Sequence, residues 1–213
     1  MKSARLLLAD DHTLMLQGIR RILEQDFELA GTVSDGRSLV AAAQELRPDV
    51  ILLDISMPLL NGIDAARQIR HLVPETKMVF LTMHKDRDYV TEAFRAGASG
   101  YILKWSAEEE LTAAIRQVLT GRKYLTPLLP QSWVDVQPRQ LSSMQADCRD
   151  LSAREREVLQ LLAEGMSAKQ IAAALNVSNK TVEFHKYRIM RKLGIHTIAQ
   201  LTKYAVEHGL TIT

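Results

Sequence analysis

The chain has 213 residues, enough for one or two domains with a real core. It carries 27 Lys+Arg against 25 Asp+Glu, with 46% hydrophobic and 24% charged residues, which excludes wholesale disorder and a polybasic, histone-like chain. The one cysteine, Cys148, excludes an internal disulfide and a cysteine-based metal site.

The opening MKSARLLLADD imitates a secretory signal for a few residues, but its apolar stretch stops at Asp10-Asp11. The tight apolar runs, Leu6–Ala9 and Val50–Leu53, are far shorter than the roughly 20 residues that span a bilayer. The expectation is a cytoplasmic protein with no membrane contact.

In chain order, ARLLLAD reads as a buried strand and LMLQGIRRILEQ as an amphipathic helix. Then come FELAGTV, SLVAAAQELR, DVILLD, GIDAARQIRHL, KMVFLT, DYVTEAFRAG, GYILK and AEEELTAAIRQVLTG, strand and helix in strict alternation. Continuous Val/Ile/Leu strands alternating with helices predict a parallel sheet covered on both faces, a doubly wound (βα)5 unit over residues 1–124. Ser106-Ala107-Glu108-Glu109 reads as a capping box, and Gly97 and Gly121 as left-handed helix stops.

Open α/β sheets place their sites at the carboxyl ends of the strands. Asp10-Asp11, Asp54, Thr82 and Lys104 all fall there. Three carboxylates repel unless a hard cation offsets their charge, and oxygen ligands suit Mg²⁺. A carboxylate beside Mg²⁺ is a competent nucleophile toward a phosphoryl group, which an ammonium and a hydroxyl then bind.

The pattern DD…D-x-x-x-P…T…K resembles the receiver domain of bacterial two-component response regulators. The resemblance implies that Asp54 is the phospho-acceptor. It implies that Asp10, Asp11, Asp54 and the backbone carbonyl of Ser56 hold Mg²⁺. It makes Thr82 and Lys104 the phosphoryl-binding pair and Tyr101 the aromatic switch. Met57-Pro58 and Asn61-Gly62 match the loop after the acceptor. By the same resemblance, Ser56 and His84 stand at positions that in receivers tune phosphoryl lifetime. One residue departs from the pattern: Trp105 follows the lysine, where receivers often have proline or a small polar residue.

Residues 125–148 hold Pro127, Pro130 and Pro138 without periodicity and read as a linker in which Trp133 and Val134 could pack. Residues 149–213 read as a smaller all-α domain of four helices. Ser152-Ala153-Arg154-Glu155 and Ser167-Ala168-Lys169-Gln170 are capping boxes, Ser178 opens a third helix that Gly194 ends, and Thr197–His208 is the fourth. The core is expected at Val158, Leu161, Leu162, Ile171, Leu175, Val182, Ile189, Leu193, Leu201, Tyr204 and Ala205.

Charge is not spread evenly. Residues 1–124 hold 16 basic and 17 acidic side chains, whereas residues 149–213 hold 10 and 6. Lys180, Lys186, Arg188, Arg191 and Lys192 stand against Glu183 alone on the third helix. A basic stripe is usually a solvated helix face. Here it coincides with a short helix, a tight Asn176-Val177-Ser178 turn and a longer helix, the helix-turn-helix plan.

LS-x-RE-x-EVL, G-x-S-x-K-x-IA and S-x-x-TV-x-x-H-x-x-x-I-x-x-KLG resemble the LuxR-type domain of NarL/FixJ-class regulators. That implies double-stranded DNA as partner, with the third helix in the major groove. Glu183, Phe184 and Tyr187 would read bases; Lys169, Lys180, Thr181, Lys186 and Arg188 would hold phosphates. His185 reads equally as a packing residue. The last helix matches the element through which such domains dimerise.

Together the resemblances imply a transcription factor that a sensor histidine kinase phosphorylates, and a homodimer when phosphorylated. The alternative is a constitutive DNA binder whose receiver only dimerises. An enzyme, an aspartyl-phosphate phosphatase, would need a second aspartate two residues after the nucleophile, where Ser56 stands.

Overall fold

A computed structural model describes residues 4–134 and 151–211. The chain divides into two compact units, Met1–Pro138 and Arg139–Thr213.

The first unit alternates strictly: β1 (Arg5–Ala9), α1 (Thr13–Leu23), β2 (Glu28–Val33), α2 (Gly36–Leu46), β3 (Val50–Leu53), α3 (Gly62–Leu72), β4 (Lys77–Thr82), α4 (Arg87–Ala96), β5 (Gly100–Leu103), α5 (Ala107–Leu119) and β6 (Tyr124–Leu125). The strands form one parallel sheet in the order β2-β1-β3-β4-β5-β6. Successive strands leave β1 in opposite directions, so helices cover both faces. The period of two then sorts each strand. Leu7, Ile51, Leu53, Phe80 and Tyr101 face one buried layer with α2, α3 and α4. Leu6, Leu8, Leu52, Val79, Leu81 and Ile102 face the other, against α1 and α5. Each such fully buried side chain stabilises the fold by about 1.5–3 kcal/mol.

Two expectations need correcting. The linker does not begin at residue 125. Tyr124 and Leu125 pair with Gly100 and Tyr101 as the edge strand β6. Leu125 and Leu129 are buried, and Trp133 and Val134 pack against the same core. Glu110 explains the docking: it accepts from the Tyr124 hydroxyl and the Thr126 hydroxyl, both at 2.9 Å. The remainder of the expected linker, residues 135–148, lies outside the described residues. The Ser106 capping box also does not form. Lys104–Ser106 is a 3-10 turn, and Ser106 Oγ donates to the Leu103 carbonyl instead of accepting from the helix. Gly97 and Gly121 take the left-handed conformation expected of helix stops.

The second unit holds α6 (Ala153–Ala163), α7 (Ala168–Leu175), α8 (Asn179–Leu193) and α9 (Ile198–Glu207). Both predicted capping boxes are present, and Thr197 with Gln200 makes a third at the start of α9. Ser178 accepts from the Thr181 backbone N–H and opens α8. Asn176 ends α7 in the left-handed conformation, which makes the turn into α8 tight. Val158, Leu161, Ile171, Val182, Ile189, Leu201 and Ala205 are wholly buried between these helices. Leu193 and Tyr204 stand only at the edge of that core.

Candidate functional site

The carboxyl edge of the sheet gathers the predicted residues. Asp10 and Asp54 follow directly on β1 and β3, Thr82 ends β4, and Lys104 follows β5. Asp10, Asp54, Thr82 and Lys104 are all buried. Lys104 Nζ stands 2.8 Å from Asp10 Oδ2 and 2.7 Å from Asp54 Oδ2. Burial alone would lower the lysine pKa; the two carboxylates and their hydrogen bonds outweigh it and raise it, so the ammonium stays charged. Asp54 also accepts from the Ile55 backbone N–H at 2.6 Å. Asp11 is exposed at the rim.

The loop after Asp54 is shaped by close approach. A Cβ at Gly62 would lie 1.9 Å from the Asp54 carbonyl oxygen, and one at Gly36 would lie 1.8 Å from that of Leu60. Only glycine lets α3 start against the acceptor's own backbone and α2 against the loop. Gly62 N–H donates to the Ile55 carbonyl at 2.8 Å, and the Asn61 side chain caps α3.

Ser56 lies in this loop, and its hydroxyl is 2.8 Å from His84 Nε2. The His84 ring stacks on Tyr89 with centroids 4.0 Å apart, and burial lowers its pKa. Tyr101 is wholly buried, and its hydroxyl donates to the His84 carbonyl at 2.8 Å. Burial pushes the Tyr101 pKa far up, so the phenol stays a donor. Thr82 Oγ1 accepts weakly from the His84 backbone N–H at 3.4 Å. Trp105 stands beside the site, 53% exposed.

One residue at this edge escapes a reading of the sequence. His12 Nδ1 lies 3.0 Å from Asp10 and 2.9 Å from Asp11. Directly before α1 it reads as an ordinary helix-leading residue, and only its place beside the acidic pair hints at more. Single donor atoms of Asp10, Asp11, His12 and Asp54 all lie within 4.8 Å of one another. A donor set dominated by carboxylate oxygen fits a hard divalent cation such as Mg²⁺.

On the second unit, α8 presents Lys180, Glu183, Phe184 and Tyr187 at i, i+3, i+4 and i+7, one exposed face. Phe184 is 55% and Tyr187 65% exposed. Lys169, on α7, is exposed too, and Thr181 is half-buried. The basic stripe is less free than its sequence suggests. Lys186 Nζ pairs with Glu183 at 2.6 Å. Arg188 Nε stands 3.4 Å and Lys192 Nζ 2.7 Å from the buried carboxylate of Glu155 on α6. The Arg188 guanidinium also covers the Phe184 ring, 5.6 Å from its centroid. Burial works against the Glu155 charge, but hydrogen bonds from Lys192 and Ser152 prevail and hold its pKa down to about 2. His185 is half-buried.

The comparisons agree with both halves. Residues 6–116 match the response regulator receiver domain, and residues 149–205 match the bacterial regulatory proteins of the luxR family. The chain is 39% identical over 213 residues to the oxygen regulatory protein NreC of Staphylococcus aureus strain MRSA252, covering 97% of this chain and 98% of that protein. It is 36% identical over 208 residues to the response regulator UvrY of Escherichia coli strain K12, covering 96% and 94%. Among solved structures it resembles RcsB from Salmonella enterica serovar Typhimurium, bound to a promoter in the presence of phosphomimetic BeF3⁻. That match has 29% identity and a TM-score of 0.63, covering 97% of this chain and 100% of the other. With both domains matched in order along a full-length alignment, the chain belongs to the response regulators that join a receiver domain to a LuxR-type DNA-binding domain, and it is a transcription regulator.

Proposed function

We propose that phosphoryl transfer to Asp54 controls DNA binding by this regulator. The observation that carries the reading is the buried ammonium of Lys104 held between Asp10 and Asp54 at the sheet edge that Thr82 also reaches. An Asp54 carboxylate oxygen attacks the phosphorus of a phosphohistidine on a sensor kinase, or of a small acyl phosphate. The new P–O bond forms as the P–N or P–O bond to the donor breaks, and the departing group leaves with that electron pair. Asp10, Asp11, Asp54 and the Ser56 carbonyl would hold Mg²⁺, which offsets the negative charge meeting at the acceptor.

Forming the acyl phosphate removes the charge of the Asp54 carboxylate, one of the two that hold Lys104, and adds about −1.5 to −2 charge just beyond it, while Asp10 stays ionised. Lys104 then pairs with the phosphoryl oxygens, and the Thr82 hydroxyl donates to them. Drawing Thr82 toward the phosphoryl group favours the inward position that the Tyr101 ring already occupies, with its hydroxyl on the His84 carbonyl. The surface of α4, β5 and α5 changes, and two chains associate through it. The dimer presents two α8 helices to half-sites about one helical turn apart. Lys169, Lys180, Thr181, Lys186 and Arg188 hold phosphates; Glu183, Phe184 and Tyr187 read base edges.

The relatives include a transcriptional regulatory protein and a response regulator, and the position two residues after Asp54 holds Ser56, not the second aspartate that an aspartyl-phosphate phosphatase would need. Among the described residues no helix is long and apolar enough to cross a membrane. It is the DNA-binding role, exercised where the chromosome lies, that places the protein in the cytoplasm.

The test is DNA affinity for wild type and Asp54→Asn, each with and without beryllofluoride. Wild type is expected to gain affinity and the variant to stay unchanged. Equal binding by both under all conditions would overturn control at Asp54 and favour the constitutive DNA binder.

A further inference from the structure

His12 stands at the N-cap of α1, yet its side chain makes no capping hydrogen bond. It turns instead into the acidic pocket. Its Nδ1 lies 3.0 Å from Asp10 Oδ1 and 2.9 Å from Asp11 Oδ1, and Lys104 Nζ is 3.5 Å away. In an octahedral shell with bonds of about 2.1 Å, neighbouring donors stand about 3.0 Å apart and opposite ones about 4.2 Å. These are also the separations of hydrogen bonds between the ring and the two carboxylates, so a cation that replaces those bonds finds the three donors already at the spacing of neighbouring ligands. The full set with Asp54 spans no more than 4.8 Å, close to the diameter of such a shell.

Donor chemistry decides what this changes. Mg²⁺ favours oxygen and gains little from imidazole, whereas Ni²⁺ and Zn²⁺ favour imidazole nitrogen, and the harder Mn²⁺ tolerates it beside carboxylate oxygen. We infer that His12 is a specificity-determining ligand of the acidic pocket, adding a nitrogen donor that admits borderline first-row cations in competition with Mg²⁺. The inference rests on the reading that Asp10, Asp11 and Asp54 hold a divalent cation. The His12 side chain is 59% exposed, so replacing it leaves no buried cavity.

The test uses the full chain and Mn²⁺. Pulsed EPR should show the coupling of a directly bound imidazole ¹⁴N in wild type and lose it in His12→Gln, with Mn²⁺ still bound. Calorimetric titration should show Ni²⁺ affinity falling by on the order of tenfold or more in His12→Gln, with Mg²⁺ affinity nearly unchanged. Bound Mn²⁺ without ¹⁴N coupling in wild type overturns the assignment, as does an equal loss of Ni²⁺ and Mg²⁺ affinity in both His12→Gln and His12→Asn. Failure of the underlying reading looks different. Wild type would then bind no Mn²⁺, or Asp10→Asn and Asp11→Asn would bind it as well as wild type does, and both ideas fall together.

Discussion

The two units handle charge in opposite ways. At the sheet edge of the first, Asp10, Asp54 and Lys104 are buried and answer one another directly. On α8 of the second, cations and aromatics stand on an open helix face, and part of the positive charge is turned inward to Glu155. A buried cluster is stiff: its members have no water to fall back on, so a change at one is felt by all. An exposed face is graded: its cations differ in how far Glu183 and Glu155 hold them, and each is screened by salt. The buried cluster answers all at once, the exposed face by degrees.

Gly62→Ala tests the stiff side most severely. The added methyl meets the Asp54 carbonyl oxygen, which is backbone and cannot swing away. The variant should lose about 3 kcal/mol or more in urea unfolding of the first unit. Wild-type stability with an intact site would show that the loop is softer than the contrast requires.

Glu155→Gln addresses the most deeply buried charge of the second unit among the described residues. It leaves Lys192 and Arg188 without their carboxylate and should cost roughly 2–3 kcal/mol. The pH dependence has a definite sign. The folded pKa of Glu155 lies below its ordinary value of 4.5, at about 2. Its contribution is therefore complete above about pH 4.5 and is lost as pH falls toward 2. Acid unfolding followed by circular dichroism should be shallower across that window in Glu155→Gln.

The open face predicts smaller, graded effects. Wild-type DNA affinity should fall by on the order of 10³-fold between 50 and 200 mM salt if a dimer holds six or more phosphates. Lys180, with no ion-pair partner among the described residues, should matter more than Lys186, which Glu183 already holds. Lys180→Ala should weaken binding alike on all sequences and reduce the salt slope by about 1 for each phosphate that goes unheld. Lys186→Ala should change the slope less. The contrast between the units sharpens further if Phe184→Ala leaves the slope intact but relaxes preference at a single base pair, by about 1–3 kcal/mol.

Much of this was legible along the chain because it is local. Capping boxes at Ser152 and Ser167 join residues three apart, and both are present. The βα alternation follows from short apolar runs and helical periods, and it carries Asp10, Asp54, Thr82 and Lys104 to one edge once the sheet is parallel. At Ser106 even a local signal failed, because the 3-10 turn from Lys104 brings the hydroxyl to the Leu103 carbonyl first. The strand β6 was hidden because two residues hold no period, and the prolines beside it read as linker.

Sequence by itself determined the two units, the strand-end carboxylates and the basic, aromatic face of α8. Only the tertiary structure decided which charges meet. Lys104 reaches Asp54 across 50 residues, Lys192 reaches Glu155 across 37, and His12 turns into the acidic pocket rather than capping its own helix. Such pairings depend on distances set by packing, and no count of charges along a chain contains them.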